Sequence, residues 1–231
     1  MLGGVALLGL GLALDARARV WGSEEALWAS AAAASPGNAR AWSNLGLARS
    51  RQGDRAGAEA AYVRAWGVVE SPGRAASLAR NHAALLIQSG RAAEALPVLD
   101  RGMALAPGDY SLHANRAAAL GSLGRPVEAL EEARRAARAA PGDPLMRNLL
   151  GQALFVNGDW PGALSEFQAA EELDPGNPLY PVGVGIAHSM LGRRDEACAA
   201  FHRAGARSGS RPLPLDAAGR ASALGCPILS P

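Results

Sequence analysis

The stretch that decides the fold is residues 144–177, PLMRNLLGQALFVNGDWPGALSEFQAAEELDPGN. Leu150 and Leu154 recur at helical spacing in its first half, and small residues with Phe167 do so in its second half. Between the halves stands Gly158-Asp159, where the glycine suits the left-handed end of one helix and the aspartate suits the cap of the next. The pattern predicts two helices joined by a tight turn.

The chain repeats this unit with steps of 37, 34, 34 and 34 residues. The turn glycines are Gly53, Gly90, Gly124, Gly158 and Gly192, and the matching small residues are Ala58, Ala95, Ala129, Ala163 and Ala197. A period of 34 residues with these residue types resembles the tetratricopeptide repeat (TPR). The resemblance implies an all-α fold, a right-handed superhelix (α-solenoid) of about five helix-hairpin repeats plus a leading half repeat.

Composition agrees with a helical repeat protein. The 231 residues are rich in alanine, leucine and glycine, and only 5% are aromatic. Every one of the 23 basic residues is an arginine, but 21 acidic residues reduce the net charge to +2. This balance leaves no electrostatic footprint for nucleic acid, so no nucleic-acid partner is predicted.

The repeats divide the chain into three predicted regions. Residues 1–19 form an apolar segment with a basic junction, residues 20–207 form the TPR array, and residues 208–231 form a Pro/Gly-rich tail. Within the array we expect a half unit at about 20–38 and full units at 39–72, 76–109, 110–143, 144–177 and 178–207. In the tail, either a short capping helix around residues 215–224 or a mostly disordered segment fits the composition.

Residues 2–14, LGGVALLGLGLAL, are uncharged and apolar. They are fewer than the roughly 20 residues that a spanning helix needs. The segment fits a weak signal or anchor, a buried cap, or the end of a membrane helix whose start lies upstream, and the last is the interpretation preferred here. We therefore expect a membrane tether at residues 2–14.

The junction that follows has a second resemblance. Residues 19–53 carry Trp21, Leu27-Trp28, Ala39-Arg40 and Asn44-Leu45-Gly46. This order is similar to the junction in membrane-embedded O-mannosyltransferase-like proteins with C-terminal TPR arrays. The resemblance implies that the catalytic region is missing from this chain and that the repeats lie outside the cytoplasm, although Arg17 and Arg19 argue for the opposite orientation.

The sequence holds no catalytic constellation. His82, His113, His188 and His202 fall in different units without partners at metal-ligand spacing, and no nucleophile or phosphate-loop motif occurs. Cys198 and Cys226 form no metal motif and no evident disulfide framework, and Cys198 is expected to be a small buried thiol. The run from Glu131-Glu132 to Arg138 is typical of a solvated helix face. No cofactor and no metal are predicted.

A binding groove is the remaining candidate site. In TPR proteins, first-helix positions 2, 5, 6, 9, 12 and 13 line the concave side. These positions select the residues Arg40, Asn44, Arg51, Arg80, Asn81, Asn115, Asn148 and Gln152. Asn44, Asn81 and Asn115 share position 6, which resembles the asparagine ladder of O-GlcNAc transferases, where amides grip a peptide backbone. The alternative is that these asparagines bond within the scaffold.

These observations predict a non-catalytic, membrane-associated scaffold that binds a protein or peptide partner in its concave groove. The alternative is the recruiting tail of a membrane glycosyltransferase, and a third hypothesis is an adaptor that binds through its convex surface or its edges. The array is expected to lie outside the cytoplasm, with a cytoplasmic location as the alternative.

Overall fold

The computed structural model describes residues 23–208 and 217–226. All regular structure in these residues is helical, and consecutive helices form hairpins. The helices are α1 (Glu24–Ala34), α2 (Ala39–Arg51), α3 (Arg55–Val68), α4 (Pro72–Gln88), α5 (Ala92–Leu105), α6 (Tyr110–Ser122), α7 (Pro126–Ala139), α8 (Pro144–Val156), α9 (Trp160–Leu173), α10 (Leu179–Met190), α11 (Arg194–Ser208) and α12 (Ala217–Ala223).

The predicted tether at residues 2–14 lies outside the described residues. Within the described part of the chain, no helix has both the length and the apolar character needed to cross a membrane. The chain divides into two compact units, named here unit 1, which ends at Leu112, and unit 2, which begins at His113.

The turns between paired helices have the predicted chemistry. All five turn glycines have positive φ angles, between 68° and 85°, a region that glycine enters without steric cost. At two of these turns an aspartate caps the next helix: the Gly57 and Gly162 amides donate to Asp54 and Asp159 at 2.9 Å. The prediction of repeated hairpins is confirmed.

Close packing of glycine against an aromatic ring joins the helices of unit 2. The Phe167 side chain is 4% exposed and belongs to a core cluster with Leu154 and Val184. A Cβ atom added to Gly151 would lie 2.7 Å from the Phe167 ring, and one added to Gly183 would lie 2.8 Å from it. The ring of α9 therefore packs between the glycines of α8 and α10, which lets successive hairpins stack.

The step of 37 residues between the first two turn glycines comes from a longer helix. The second full unit is predicted at about 76–109, whereas α4 already begins at Pro72. Proline suits the first turn of a helix, where its missing N–H costs no hydrogen bond. The extra residues therefore lengthen α4 to 17 residues.

The C-terminal region corrects the expectation of a free Cys198 thiol. Cys198 on α11 forms a disulfide with Cys226, with the two Cα atoms 5.3 Å apart. Helix α12 lies between the two cysteines in the sequence. Its Ala217 is completely buried and packs in a cluster with Phe201 and Ala204 of α11. The tail therefore contains a helix that covers the last hairpin, and its return toward α11 brings the two cysteines together.

Candidate functional site

A groove in unit 2 contains three of the predicted binding residues. Its lining residues come mainly from α6, α8, α10 and α12, with a few from α7 and α9. It consists of three adjoining depressions that all include Gln152. Asn148 lines two of them, and Asn115 lines one. We call this surface the unit 2 groove.

The depression next to α12 is lined mainly by apolar side chains. It has a volume of about 410 Å³, and Phe155, Val156, Leu179 and Ile186 line it. Val156 is 68% exposed and Leu179 is 38% exposed, so both can be covered by a partner. Arg220 of α12 stands at the same depression.

Small residues make the α6 side of the groove hollow. Ala118 and Gly121 on α6 face Leu149 and Val156 on α8 across a depression of about 480 Å³. No heavy atom lies within 4 Å of the position that a Cβ of Gly121 would take, apart from its own helix and chain neighbours. Volumes of this size lie in the range of ligand pockets.

Amide side chains supply the polar groups of the groove. Asn115, Asn148 and Gln152 each carry both donors and an acceptor, which matches the needs of a peptide backbone. They occur among apolar side chains, as in sites where a few polar groups fix the orientation of a ligand. The arrangement can hold a chain segment, and it contains no nucleophile beside a base.

Of the five predicted binding residues in unit 1, two line a common cavity. Arg40 and Asn44 line a cavity of about 230 Å³ with Ser77, which lies four residues before Asn81. The Arg51 guanidinium pairs with the Glu24 carboxylate at 3.0 Å. Arg80 donates to the Ser111 hydroxyl at 3.4 Å, and Asn81 is half-buried. Two of the predicted arginines are thus engaged by neighbouring side chains.

Sequence comparison identifies the repeat. The tetratricopeptide repeat family matches residues 80–144 and 115–178. The chain folds as a TPR α-solenoid. Among solved structures, YrrB, described as a TPR protein with an unusual peptide-binding site, is 21% identical with a TM-score of 0.61, and 85% of this chain covers 97% of it.

Two further TPR structures are comparable. MamA is 17% identical, with a TM-score of 0.60 and coverage of 84% of this chain and 98% of MamA. A thermophilic TPR protein from Thermus thermophilus is 20% identical, with a TM-score of 0.62 and coverage of 81% and 98%. At these identities the likeness shows the fold. No curated protein matches the chain.

The TPR position rule locates groove residues beyond the predicted ones. Applied to the last two units, positions 2, 9 and 13 give Leu179, Ile186 and Val156, all of which line the unit 2 groove. The repeat pattern could therefore have identified them. Arg220 lies outside the repeats, so the repeat pattern does not predict its place at the groove.

Two of the four histidines are buried in the packing of the helices. His82 is buried and accepts a hydrogen bond from the Trp66 indole at 3.2 Å, and burial lowers its pKa. Burial likewise lowers the pKa of His188. Both side chains are therefore neutral packing residues near neutral pH.

One carboxylate was wrongly predicted to be solvated. Glu132 is only 6% exposed, and one of its oxygens lies 2.6 Å from His113 Nδ1. Its other oxygen accepts from Arg135 at 2.9 Å. The His113–Glu132 pair joins α6 to α7, 19 residues apart in sequence, and the sequence pattern did not reveal it. A buried carboxylate needs such partners, so the pair has a structural role.

Proposed function

We propose that the protein is a non-catalytic TPR scaffold that binds a partner protein through a peptide segment held in the unit 2 groove. The observation that carries this proposal is the continuity of the groove, since Gln152 borders all three of its depressions. TPR proteins are generally scaffolds, and the fold supports the same class of function. The bound segment would lie across α6, α8 and α10.

Apolar burial supplies the affinity in this proposal. Val156 and Leu179 project from the groove, where they are 68% and 38% exposed. Covering apolar surface contributes roughly 25 cal/mol for each Å² removed from water. Asn148 and Gln152 then satisfy backbone groups of the peptide without reading its side chains.

The test compares two pairs of variants that are matched in residue type and exposure. Val156→Ser with Leu179→Ser alters the groove, and Val127→Ser with Leu123→Ser alters residues of unit 2 that do not line it. Val127 is 68% exposed and Leu123 is 37% exposed, nearly identical to the groove pair.

The probe is a library of acetylated, amidated dodecapeptides that carry three leucines and vary elsewhere. Peptides selected on the wild-type protein should bind the groove pair about tenfold more weakly, since two apolar contacts of about 0.7 kcal/mol each are lost. The control pair should bind as the wild type does. Equal binding by both pairs would overturn the proposed groove.

The disulfide indicates in which compartment the scaffold functions. Structural disulfides persist in oxidising compartments and are rare in the reducing cytoplasm. We propose that the TPR array functions outside the cytoplasm, which is also what the resemblance of residues 19–53 implies. Rapid acid quenching of cells followed by thiol alkylation tests this location: Cys198 and Cys226 should resist alkylation until a reductant is added. Alkylation without reductant would contradict it.

A further inference from the structure

Arg220 gives the unit 2 groove a charge that the repeats do not supply. It lies on α12, outside the TPR array, and lines the depression that also contains Phe155, Val156 and Ile186. It is the only charged residue among those that line this depression. Its guanidinium makes no ion pair with any residue of the ranges 23–208 and 217–226. An exposed arginine beside an apolar surface therefore has charge available for a ligand.

The disulfide closes the segment that carries Arg220. Its helix has seven residues, too few to persist on its own in water. The Cys198–Cys226 bond fixes the chain after α12 to α11, and Arg194 donates to the Gly225 carbonyl at 3.3 Å. Ala217 and Ala221 contact the core cluster of the last hairpin. The covalent link, this hydrogen bond and the apolar contacts together hold α12 where Arg220 reaches the groove.

We propose that Arg220, held in place by the Cys198–Cys226 disulfide, binds an acidic side chain of the peptide that occupies the unit 2 groove. This inference rests on the proposed function and adds the partner's chemistry to it: a segment with apolar residues and a Glu or Asp next to them. The groove thus selects acidic segments when the disulfide is formed and loses that selectivity when the disulfide is reduced.

The chemistry of the guanidinium supports an acidic ligand. Arginine presents a rigid fork of donors that fits a carboxylate in a bidentate manner, and such charge-assisted hydrogen bonds are stronger than neutral ones. The groove extends from Arg220 past Gln152 to Asn115, so a segment whose acidic side chain meets Arg220 can lay its other residues over the amides and apolar side chains of the remaining groove.

Paired peptides test the charge preference. Selected dodecapeptides, acetylated and amidated, are made with either Glu or Gln at each variable position in turn, so that a side chain supplies the only carboxylate. Their affinities are measured for the wild type, for Arg220→Gln and for the control Arg138→Gln. Arg138 is an exposed arginine in the last turn of α7 that does not line the groove.

At the peptide position where the Glu and Gln affinities differ most, the wild type and Arg138→Gln should bind the Glu peptide about fivefold more tightly than the Gln peptide, as expected for a partly covered ion pair. Arg220→Gln should bind both peptides equally while it keeps the affinity for the Gln peptide. An equal affinity of the wild type for both peptides would overturn the proposal, and so would a preference that persists in Arg220→Gln. Binding that requires a free C-terminal carboxylate would also overturn it.

Reduction tests the second half of the proposal. The chain has two cysteines, so a phosphine reductant acts on this disulfide alone. Reduced protein, and the double variant Cys198→Ser with Cys226→Ser, should lose the Glu preference and retain the affinity for the Gln peptide. An unchanged preference in both would contradict the role of the disulfide. Failure of the proposed function would give a different result from failure of this proposal. In that case the groove variant Val156→Ser with Leu179→Ser would bind the Gln peptide as tightly as the wild type does.

Discussion

Replacing Gly151 by alanine tests how the hairpins of unit 2 stack. An alanine Cβ would lie 2.7 Å from two carbons of the Phe167 ring, about 1 Å closer than a normal carbon–carbon contact. On its other side the ring packs closely against Gly183, where an added Cβ would lie 2.8 Å from it, so little room is left for the ring to move toward α10. The hairpins must therefore shift to accept the methyl group.

The expected cost follows from two opposing effects. Overpacking in a close-packed core costs about 1–3 kcal/mol. Alanine is better than glycine in a helix interior by about 1 kcal/mol, which offsets part of that cost. The difference is a net loss of up to about 2 kcal/mol in the free energy of unfolding for Gly151→Ala.

Urea unfolding followed by circular dichroism measures this change. The control is Gly205→Ala in α11, where no heavy atom outside the local helix lies within 4 Å of the new Cβ. This control should stabilise the protein by about 0.5–1 kcal/mol. The cost of Gly151→Ala should shrink when Phe167→Leu removes the ring. If both alanine variants are equally stable, the packing of Phe167 between two glycines is refuted.

Three further changes test other parts of the structure. Cys198→Ser with Cys226→Ser opens a link between residues 28 apart and should lower the stability by about 3–4 kcal/mol, measured by urea unfolding. Burial lowers the pKa of His82, so the folded state binds fewer protons than the unfolded state and loses stability as pH falls below 6.5; His82→Phe should flatten the stability profile between about pH 7 and 5. Burial alone raises the pKa of Glu171, but the hydrogen bonds and charges of Arg203 and Arg207 together outweigh it and hold that pKa below its ordinary value. The stabilisation by Glu171 is therefore complete above pH 4.5 and is lost as pH falls through the lowered pKa, and Glu171→Gln should remove this part of the acid sensitivity.

The repeat architecture could be predicted because it depends on local chemistry. Gly158 was found from sequence because a tight turn between helices needs a positive φ angle, which favours glycine. Gln152 was placed on the groove side because a helix sends fixed positions of each repeat to one face. Both signals recur at every repeat, so each occurrence supports the others.

The features that escaped prediction depend on single long-range contacts. The burial of Glu132 depends on His113 and Arg135, and no repeated pattern marks these partners. The disulfide and the placement of Arg220 depend on how the tail returns to α11, and two cysteines 28 residues apart do not reveal that path. Sequence reasoning thus found the scaffold and part of the groove, but not the charged residue beside it.

Site-specific photocrosslinking tests the central claim, that a peptide segment lies in the unit 2 groove. Benzoylphenylalanine replaces Val156 in the groove or the equally exposed Val127 outside it. A selected leucine-containing dodecapeptide is added, the sample is irradiated, and the crosslinked peptide is measured by mass spectrometry. The account predicts crosslinks from position 156 and none above background from position 127. Equal crosslinking at both positions, or none at 156 for a peptide that binds, would contradict it.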